Sequence, residues 1–383
     1  MKRASILVGL TLTVGALAPI AAGTAWADQG QTAASNRTAT AQKAGQQAAK
    51  AAGKKVAAPK IKVGFLQILG AIESAQRAER AFRSAAKVLG WTVVSCDAQG
   101  DPTKMARCTD SLLDQNVKAV IDLGVEPSIL KAQLRKAKSK GVPVVEFSGQ
   151  VAPDPLLSGA YYPDEAKGGK VLTDYLVKRL DSLPGGTVDI AVHDYPAQWA
   201  TARTDTLKAA VNGDSKLKIS TTSITDATNL VEGTRKTVSD QLTANPNLKA
   251  FWFAFDSAGQ AGGPAIQAKD PGKSFPDKPL VATFHADLGT VELMRSGAID
   301  VVSDWPYDAS AWVAADQLVE FLARKKAFSK SPRPVYPGIG DTLDYAIVTK
   351  DNLPPKGQYR TTKYDYQTFF KSKWTNEFSG LKK

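Results

Sequence analysis

Histidine, cysteine and methionine are scarce in this chain of 383 residues, which contains two histidines, two cysteines and three methionines. So few soft ligands argue against a zinc module, and the spacing of Cys96 and Cys108 is not a zinc signature. The glycine pairs Gly185-Gly186 and Gly262-Gly263 lack the spacing of a nucleotide-binding loop. The sequence shows no convergent nucleophile and base, so we expect neither an enzyme nor a cofactor or metal.

Long apolar runs are also missing, except for one at the N-terminus over about residues 6–22. A basic pair precedes this run, and Ala25-Trp26-Ala27 follows it as a small-x-small cleavage pattern. Residues 1–27 therefore predict a secretory signal peptide, with a retained membrane anchor as the alternative because the run approaches a spanning length. We expect an exported protein of the periplasm, cell envelope or extracellular space.

The formal net charge of +12 lies in the tails of the chain and not in its middle. Residues 28–60 and residues 350–383 each carry a net charge of +5, and residues 61–349 are neutral. A nucleic-acid partner is therefore not expected, because a reader of DNA or RNA needs a basic face on its fold. The basic tails leave peripheral contact with an anionic envelope surface open.

Residues 28–60 are rich in alanine, glutamine and lysine and contain no aromatic side chain. Such a composition cannot bury a core, so we expect a flexible tether in which residues 42–55 form at most a weak helix. Cys96 should end a strand and Cys108 should lie in the next helix. An exported protein permits a disulfide between them, worth about 3 kcal/mol at best, and two free thiols are the alternative.

The body of the chain alternates short apolar segments with segments of helical periodicity, first over 61–147 and again over 165–349. This order predicts an α/β fold with mainly parallel sheets and helices on both faces. Two successive sheets make two Rossmann-like lobes, and ligands in such folds bind beyond the carboxyl ends of the strands.

Several phrases occur in the order and spacing of a known family. They are Leu89-Gly90-Trp91, Gly141-Val142-Pro143-Val144-Val145, Asp164 with Gly168-Gly169-Lys170, Asn245-Pro246-Asn247-Leu248-Lys249-Ala250 and Phe255-Asp256-Ser257-Ala258-Gly259. Over about residues 61–349 the chain resembles the type I periplasmic binding proteins of the ribose and galactose kind. The resemblance implies two lobes joined by a three-segment hinge, a buried small-molecule ligand, and delivery to the permease of an ABC transporter.

The resemblance also implies a division of the chain. We expect a first lobe of residues 61–163 plus about 305–328, a second lobe of 164–304 plus about 329–350, and a C-terminal extension of 351–383. The aromatic residues of that extension alternate with lysines. They predict packing onto the lobes or the hinge, with docking to a partner as the alternative. We expect a monomer.

The first lobe departs from the ligand pattern that the resemblance implies. Ser74 and the alanine after it, with Glu73 just before them, stand where the sugar binders open their first helix with stacking aromatic residues. Ser148 stands where those proteins have an Asp-Arg pair. Tyr162 falls at a crossing between the lobes. These four residues are candidates for the site, but they offer neither a stacking platform nor a bidentate arginine.

The second lobe keeps more of the implied pattern. Arg203 matches an arginine that grips ligand oxygens, and Trp199 lies one helical turn earlier, where it can supply a stacking face. A surface arginine and an ordinary packing tryptophan are the alternatives.

Three strand ends of the second lobe complete the predicted site. Phe255 and Asp256 follow one strand, His285 follows the next, and Asp304 ends a third. Asp256 can instead cap a helix, and His285, which can become cationic, can instead be a satisfied loop histidine.

The sequence therefore predicts a solute-binding protein for a sugar, a sugar acid or a modified polyol. A ligand-sensing receptor component and a binder of an aromatic or other non-sugar solute are the alternatives. A transcription regulator of the same fold is disfavoured, because a signal peptide stands where its DNA-binding domain would be.

Overall fold

The structure is a computed structural model that describes residues 22–340 and 343–382. The helices are α1 (Ala22–Ala51), α2 (Glu73–Leu89), α3 (Pro102–Asp114), α4 (Lys131–Ser139), α5 (Glu165–Asp181), α6 (Gln198–Asn212), α7 (Leu230–Ala244), α8 (Asp256–Lys269), α9 (Leu288–Ser296), α10 (Asp308–Arg324) and α11 (Tyr366–Glu377). The strands are β1 (Val56–Ala57), β2 (Lys62–Gln67), β3 (Thr92–Asp97), β4 (Ala119–Leu123), β5 (Val144–Phe147), β6 (Gly159–Tyr161), β7 (Val188–Asp194), β8 (Leu217–Ile224), β9 (Ala250–Phe253), β10 (Leu280–Phe284), β11 (Val301–Asp304), β12 (Ala346–Thr349) and β13 (Phe378–Ser379).

Two sheets organise the chain and confirm the predicted α/β fold with two lobes. The first lobe surrounds a parallel sheet in the order β3-β2-β4-β5-β6, and the second surrounds a sheet in the order β12-β11-β10-β9-β7-β8. All pairs in these sheets are parallel except β11 with β12. Strands β4, β9, β10 and β11 are buried along their whole length, because helices cover both faces of a parallel sheet.

Helix boundaries follow local chemistry. Helix α2 ends at Gly90, as its sequence predicts, because this residue adopts a φ of 72° and donates its N–H to the carbonyl of Ala86. Helices α3 and α5 begin after Asp101 and Asp164, whose carboxylates accept backbone N–H bonds from the first turn. Strand β6 was not predicted, since Gly159-Ala160-Tyr161 is short and poor in β-branched residues.

The chain passes between the lobes three times, after β6, after β11 and between α10 and β12. Helix α10 packs on α2 and on β5 of the first lobe, whereas β12 joins the sheet of the second lobe. The exact residue limits of each lobe remain our interpretation of this arrangement.

Residues 28–51 are not the flexible tether that their composition suggested, because they continue helix α1, which packs along α11. Ala41, Ala44 and Ala49 are buried. At Gly45 an added Cβ would lie 2.5 Å from the carbonyl oxygen of Phe369. The small residues of α1 allow close approach, and the partner helix supplies the large side chains that α1 lacks.

The C-terminal extension packs onto the first lobe, as its aromatic residues predicted. Phe369, Phe370 and Trp374 are fully buried, and the indole of Trp374 stacks on Trp312 of α10 at 5.5 Å. The buried Lys373 forms ion pairs with Asp316 at 2.7 Å, Glu320 at 2.5 Å and Glu377 at 2.8 Å. Strands β1 and β13 then pair the two ends of the described chain.

Cys96 lies on β3 and Cys108 on α3, as expected, and the structure joins them in a disulfide with a Cα–Cα distance of 5.5 Å. The predicted signal peptide lies mostly in residues 1–21, outside the described residues. In the described part of the chain, no helix combines the length and the apolar character needed to cross a membrane.

Candidate functional site

A cavity of about 100 Å³ lies between the lobes, at the carboxyl ends of the strands of both sheets. The residues that follow strands of the first lobe supply one wall, and the residues that follow β7, β9, β10 and β11 supply the other. This is the position at which parallel α/β sheets bind their ligands. Seven of the ten predicted ligand residues line the cavity: Ser74, Ser148, Trp199, Arg203, Phe255, Asp256 and His285.

Three predicted residues do not line this cavity, namely Glu73, Tyr162 and Asp304. Tyr162 is buried outside the lining. Both oxygens of Asp304 are engaged, because Oδ1 accepts from the Ala286 N–H at 2.9 Å and Oδ2 pairs with Arg360 at 2.7 Å. Asp304 is therefore a hinge residue here, and its expected contact with a ligand is not supported.

Glu73 lies at the edge of the cleft, where it borders a wider and more polar cavity of about 560 Å³. Its carboxylate accepts from the Gly289 N–H at 2.9 Å and from the Gln260 side chain at 3.1 Å, both in the second lobe. Gln198 closes another edge by donating its backbone N–H and its side-chain amide to Glu126, at 3.0 and 2.7 Å. The lobes are therefore in contact on more than one side of the pocket.

Arg203 is held inside the pocket wall by three groups. Its Nε pairs with Glu165 at 2.6 Å, Nη1 donates to the Ala254 carbonyl at 2.9 Å, and Nη2 donates to Nε2 of His285 at 3.3 Å. Gly169 of α5 permits this placement, because a Cβ there would lie 2.7 Å from the Arg203 Cα. Burial raises the pKa of Glu165, although the charge of Arg203 acts in the opposite direction.

Asp256 begins α8 and links the two lobes. Its Oδ1 accepts from the hydroxyl of Ser74 at 3.1 Å, and its Oδ2 accepts from the hydroxyl of Ser257 at 3.2 Å. Burial raises the pKa of the Asp256 carboxyl, while these hydrogen bonds lower it. The predicted carboxylate is therefore present at the pocket, but both of its oxygens already accept protein hydrogen bonds.

His285 adopts a φ of 62° and lies between Trp305 at 4.7 Å and Tyr307 at 4.5 Å, measured between ring centroids. Burial, followed by the charges of Arg203 and Arg77, holds the pKa of His285 well below its usual range. The ring is therefore neutral at physiological pH. Because Arg203 can only donate, Nε2 of His285 accepts and the proton lies on Nδ1.

An aromatic cluster lies in the second-lobe wall of the cavity. Trp199 stacks on Tyr195 at 5.5 Å and meets Phe255 edge-on at 5.9 Å. The guanidinium of Arg203 lies 4.9 Å from the Trp199 ring and 5.0 Å from the Trp305 ring. Offset and edge contacts of this kind stabilise aromatic groups beyond simple burial.

Sequence reasoning did not identify Tyr195, Tyr307 and Glu165, which also line the pocket. Tyr195 directly follows β7, so its place at a strand end was a signal that could have been used. Glu165 carried no such signal, since only the folded chain brings it to Arg203.

Trp305 forms the rear of the pocket and is positioned from outside it. At Gly168 of α5, an added Cβ would lie 2.4 Å from the six-membered ring of this indole. Trp305 also packs against Tyr345 at 5.2 Å. The absence of a side chain at Gly168 therefore sets where the indole lies.

A buried ion network lies behind the pocket at the hinge. Arg77 of α2 pairs with Asp287 at 3.0 Å and with Asp308 at 2.8 Å, and the hydroxyl of Tyr307 also donates to Asp287. Burial raises the pKa of Asp287 to about 7, although Arg77 acts to lower it. Arg77 thus ties the first lobe to the second lobe and to the start of α10.

The arrangement of two lobes around a buried pocket defines the family. The chain belongs to the periplasmic binding protein family, since residues 63–326 match the model of the periplasmic binding protein domain. Members of this family are exported solute-binding proteins rather than enzymes, and they work with ABC transporter permeases.

Individual relatives are more distant. A xylitol-binding protein of Mycolicibacterium smegmatis is 31% identical over 99 residues, which are 26% of this chain and 27% of that protein. A solute-binding protein of Agrobacterium vitis with bound allitol has a TM-score of 0.65 at 16% identity, over 78% of this chain and 98% of that one. A Burkholderia graminis protein in complex with D-arabinose has a TM-score of 0.64 at 19% identity, with the same coverage. At these identities the structural matches establish the fold alone.

Proposed function

We propose that the protein captures a small neutral solute of the sugar or polyol class between its lobes and delivers it to the permease of an ABC importer. The observation that carries the proposal is the pocket itself. Strand ends of both sheets meet around it, and the Ser74–Asp256 and Glu73–Gly289 contacts close the cleft. Closure of two lobes over a ligand is an established use of this geometry.

The relatives support this choice of solute class. The ligands named for these relatives are xylitol, allitol and D-arabinose, all of which are neutral polyhydroxylated compounds. We further propose that residues 1–27 are removed on export, that the Cys96–Cys108 disulfide forms in the oxidising compartment, and that the mature protein acts as a monomer without a cofactor.

A thermal-shift screen of the chain that begins at Asp28 tests the proposal. The panel contains neutral sugars, polyols, sugar acids and cyclic alcohols. A true ligand at a concentration of 100 times its Kd stabilises the folded state by about 2.7 kcal/mol. The control variant Lys356→Ala, at an exposed site outside the pocket lining, should show the same shift. No response to any member of the panel would contradict solute capture.

A further inference from the structure

The first-lobe wall of the pocket is aliphatic. Ile68 and Leu69 follow β2, and Ile72 directly precedes α2. Ala75 and Ala78 continue the wall along the buried face of that helix. A sugar or polyol carries hydroxyls on much of its perimeter, and apart from Ser74 and Ser148 the side chains of this wall cannot form hydrogen bonds with them.

The second-lobe wall is aromatic, and it faces the aliphatic one. Tyr195, Trp199 and Phe255 pack together at centroid distances of 5.5 to 5.9 Å. Trp199 and Tyr195 are only partly buried, and both line the pocket. A ligand between these walls contacts aliphatic groups on one side and ring faces on the other.

The strongest polar groups of the pocket are already engaged within the protein. Arg203 uses all three guanidinium nitrogens, and Asp256 accepts a hydroxyl proton on each oxygen. The hydroxyl of Tyr307 donates to Asp287 at 3.0 Å. Two further N–H groups of Arg203 and a second lone pair on each Asp256 oxygen remain, so a ligand hydroxyl that binds here shares groups the protein already uses.

Three lining residues keep a buried polar atom without a hydrogen bond to any described residue, namely Ser148 at Oγ, His285 at Nδ1 and Trp305 at Nε1. In the neutral ring of His285 the Nδ1 atom carries the proton, and Trp305 can only donate. Buried polar atoms are nearly always paired in folded proteins, so these atoms indicate ligand oxygens that accept. These three groups can serve up to three such oxygens.

The described lining of the pocket carries one cation and two carboxyl groups. Arg203 is the one cationic side chain among the described lining residues, and it is paired with Glu165 at 2.6 Å. Asp256 adds a carboxyl to the same wall. A sugar acid would therefore bring its carboxylate next to two carboxyl groups without gaining an unpaired cation.

We infer that the captured solute is a compact, neutral ring compound with an apolar face and few hydroxyls, and that open-chain polyols and sugar acids bind more weakly. This inference rests on the proposed function and narrows its solute class. The cavity of about 100 Å³ is smaller than the ~150 Å³ of an apolar cavity that admits benzene, so the closed pocket has room for no more than a single small ring. One five- or six-membered ring is therefore the expected size.

Isothermal titration of the chain from Asp28 onward with one ring series tests the inference. The probes are cyclohexane-1,2-diol, a deoxyinositol and myo-inositol, which share a ring and increase in hydroxyl number, together with xylitol and D-xylonate. Each added hydroxyl that is buried without a partner should weaken binding by about tenfold. We expect Kd to rise along the series and xylonate to bind most weakly.

Variants of the two walls separate this result from a general loss of structure. Trp199→Ala should weaken binding of the diol more than that of xylitol, and Trp199→Phe should restore most of it. Leu69→Gln should reduce the ratio of the Kd for myo-inositol to the Kd for the diol by about tenfold. The matched control Ile224→Gln changes an exposed aliphatic residue outside the pocket and should alter neither affinity. A melting curve for each variant shows that it is folded.

The outcomes distinguish the two proposals. Tighter binding of myo-inositol, xylitol or xylonate than of the diol would overturn the inference and leave solute capture intact. Unchanged ratios in Trp199→Ala and Leu69→Gln would also overturn it. Failure of every probe, together with no response in the thermal-shift panel, would instead overturn the proposed function.

Discussion

At the hinge, Arg77 bridges Asp287 and Asp308, and a second arginine, Arg360, bridges Asp304 and another carboxylate. The adjacent pocket is walled by aliphatic and aromatic side chains, and its one arginine is neutralised by a glutamate. Charged pairs therefore hold the lobes together, whereas apolar surface is left for the ligand. Substitutions at the hinge should therefore reduce folding stability, whereas substitutions in the pocket walls should mainly change ligand affinity.

The largest loss of folding stability is expected for Arg77→Met. It leaves Asp287 and Asp308 buried without their cation, and breaking a buried pair in this way costs about 3–5 kcal/mol. The midpoint of urea unfolding measures this loss, and ligand affinity should fall as well because Arg77 joins the lobes. The control is Arg80→Met on the same helix, whose exposed side chain should matter by about 0.5 kcal/mol or less. Equal losses of stability in the two variants would contradict the claim that buried ion pairs hold the lobes together at the hinge.

An intermediate effect on stability is expected at a third region, where the buried carboxyls pair with no cation among the described residues. Asp122 and Glu146 face each other on β4 and β5, and burial raises the pKa of Asp122 to about 8 and that of Glu146 well above its usual range. A raised folded-state pKa means that the stabilising contribution is present at low pH and is lost as the pH rises toward 8. From pH 6.5 to 8, Asp122 should therefore reduce stability by about 2 kcal/mol.

Asp122→Asn should remove this share of the pH dependence and stabilise the protein at pH 8 relative to the native chain. Thermal melting of both proteins at pH 6.5 and pH 8 is the measurement. The difference between the two proteins isolates Asp122 from other groups that titrate in the same range. Parallel melting temperatures at both pH values would show that Asp122 is ionised when folded, and the contrast between paired and unpaired carboxyls would then fail.

The smallest loss of folding stability is expected for Arg360→Ala in the C-terminal extension. The Arg360 side chain is 16% exposed, and Asp304 keeps its hydrogen bond from the Ala286 N–H after the change. A loss of about 1 kcal/mol follows. Urea unfolding compared with Lys356→Ala, an exposed lysine of the same extension, measures it. A loss as large as that of Arg77→Met would place the centre of the hinge network in the extension.

Much of the fold could be predicted because buried parallel strands are written as continuous apolar segments, such as Phe251-Trp252-Phe253 in β9 and Leu280–Phe284 in β10. The behaviour of α1 could not be predicted from its own residues. Its alanines and Gly45 gain their burial from aromatic residues more than 300 positions further along the chain. The composition of a segment gives its own side chains. It does not give the side chains that a distant segment packs against it.

The site was predictable where a residue follows a strand. Ser148, Asp256 and His285 follow parallel strands, and topology alone brings such positions together. What the sequence could not show was how their hydrogen bonds are used. Asp304, like His285, lies at the carboxyl end of a parallel strand. It pairs with Arg360, 56 residues later in the chain, and therefore belongs to the hinge. The pairing of Arg203 with Glu165 could not be predicted either, because the two residues meet only in the folded chain.

Gly168 offers a route by which the binding preference of this protein can drift during evolution. A methyl group at this position would displace the indole of Trp305, which forms the rear of the pocket. Gly168 does not itself line that pocket and lies on α5. Two homologues with identical lining residues can therefore differ in the solute they accept, and comparing the lining residues alone would miss the cause.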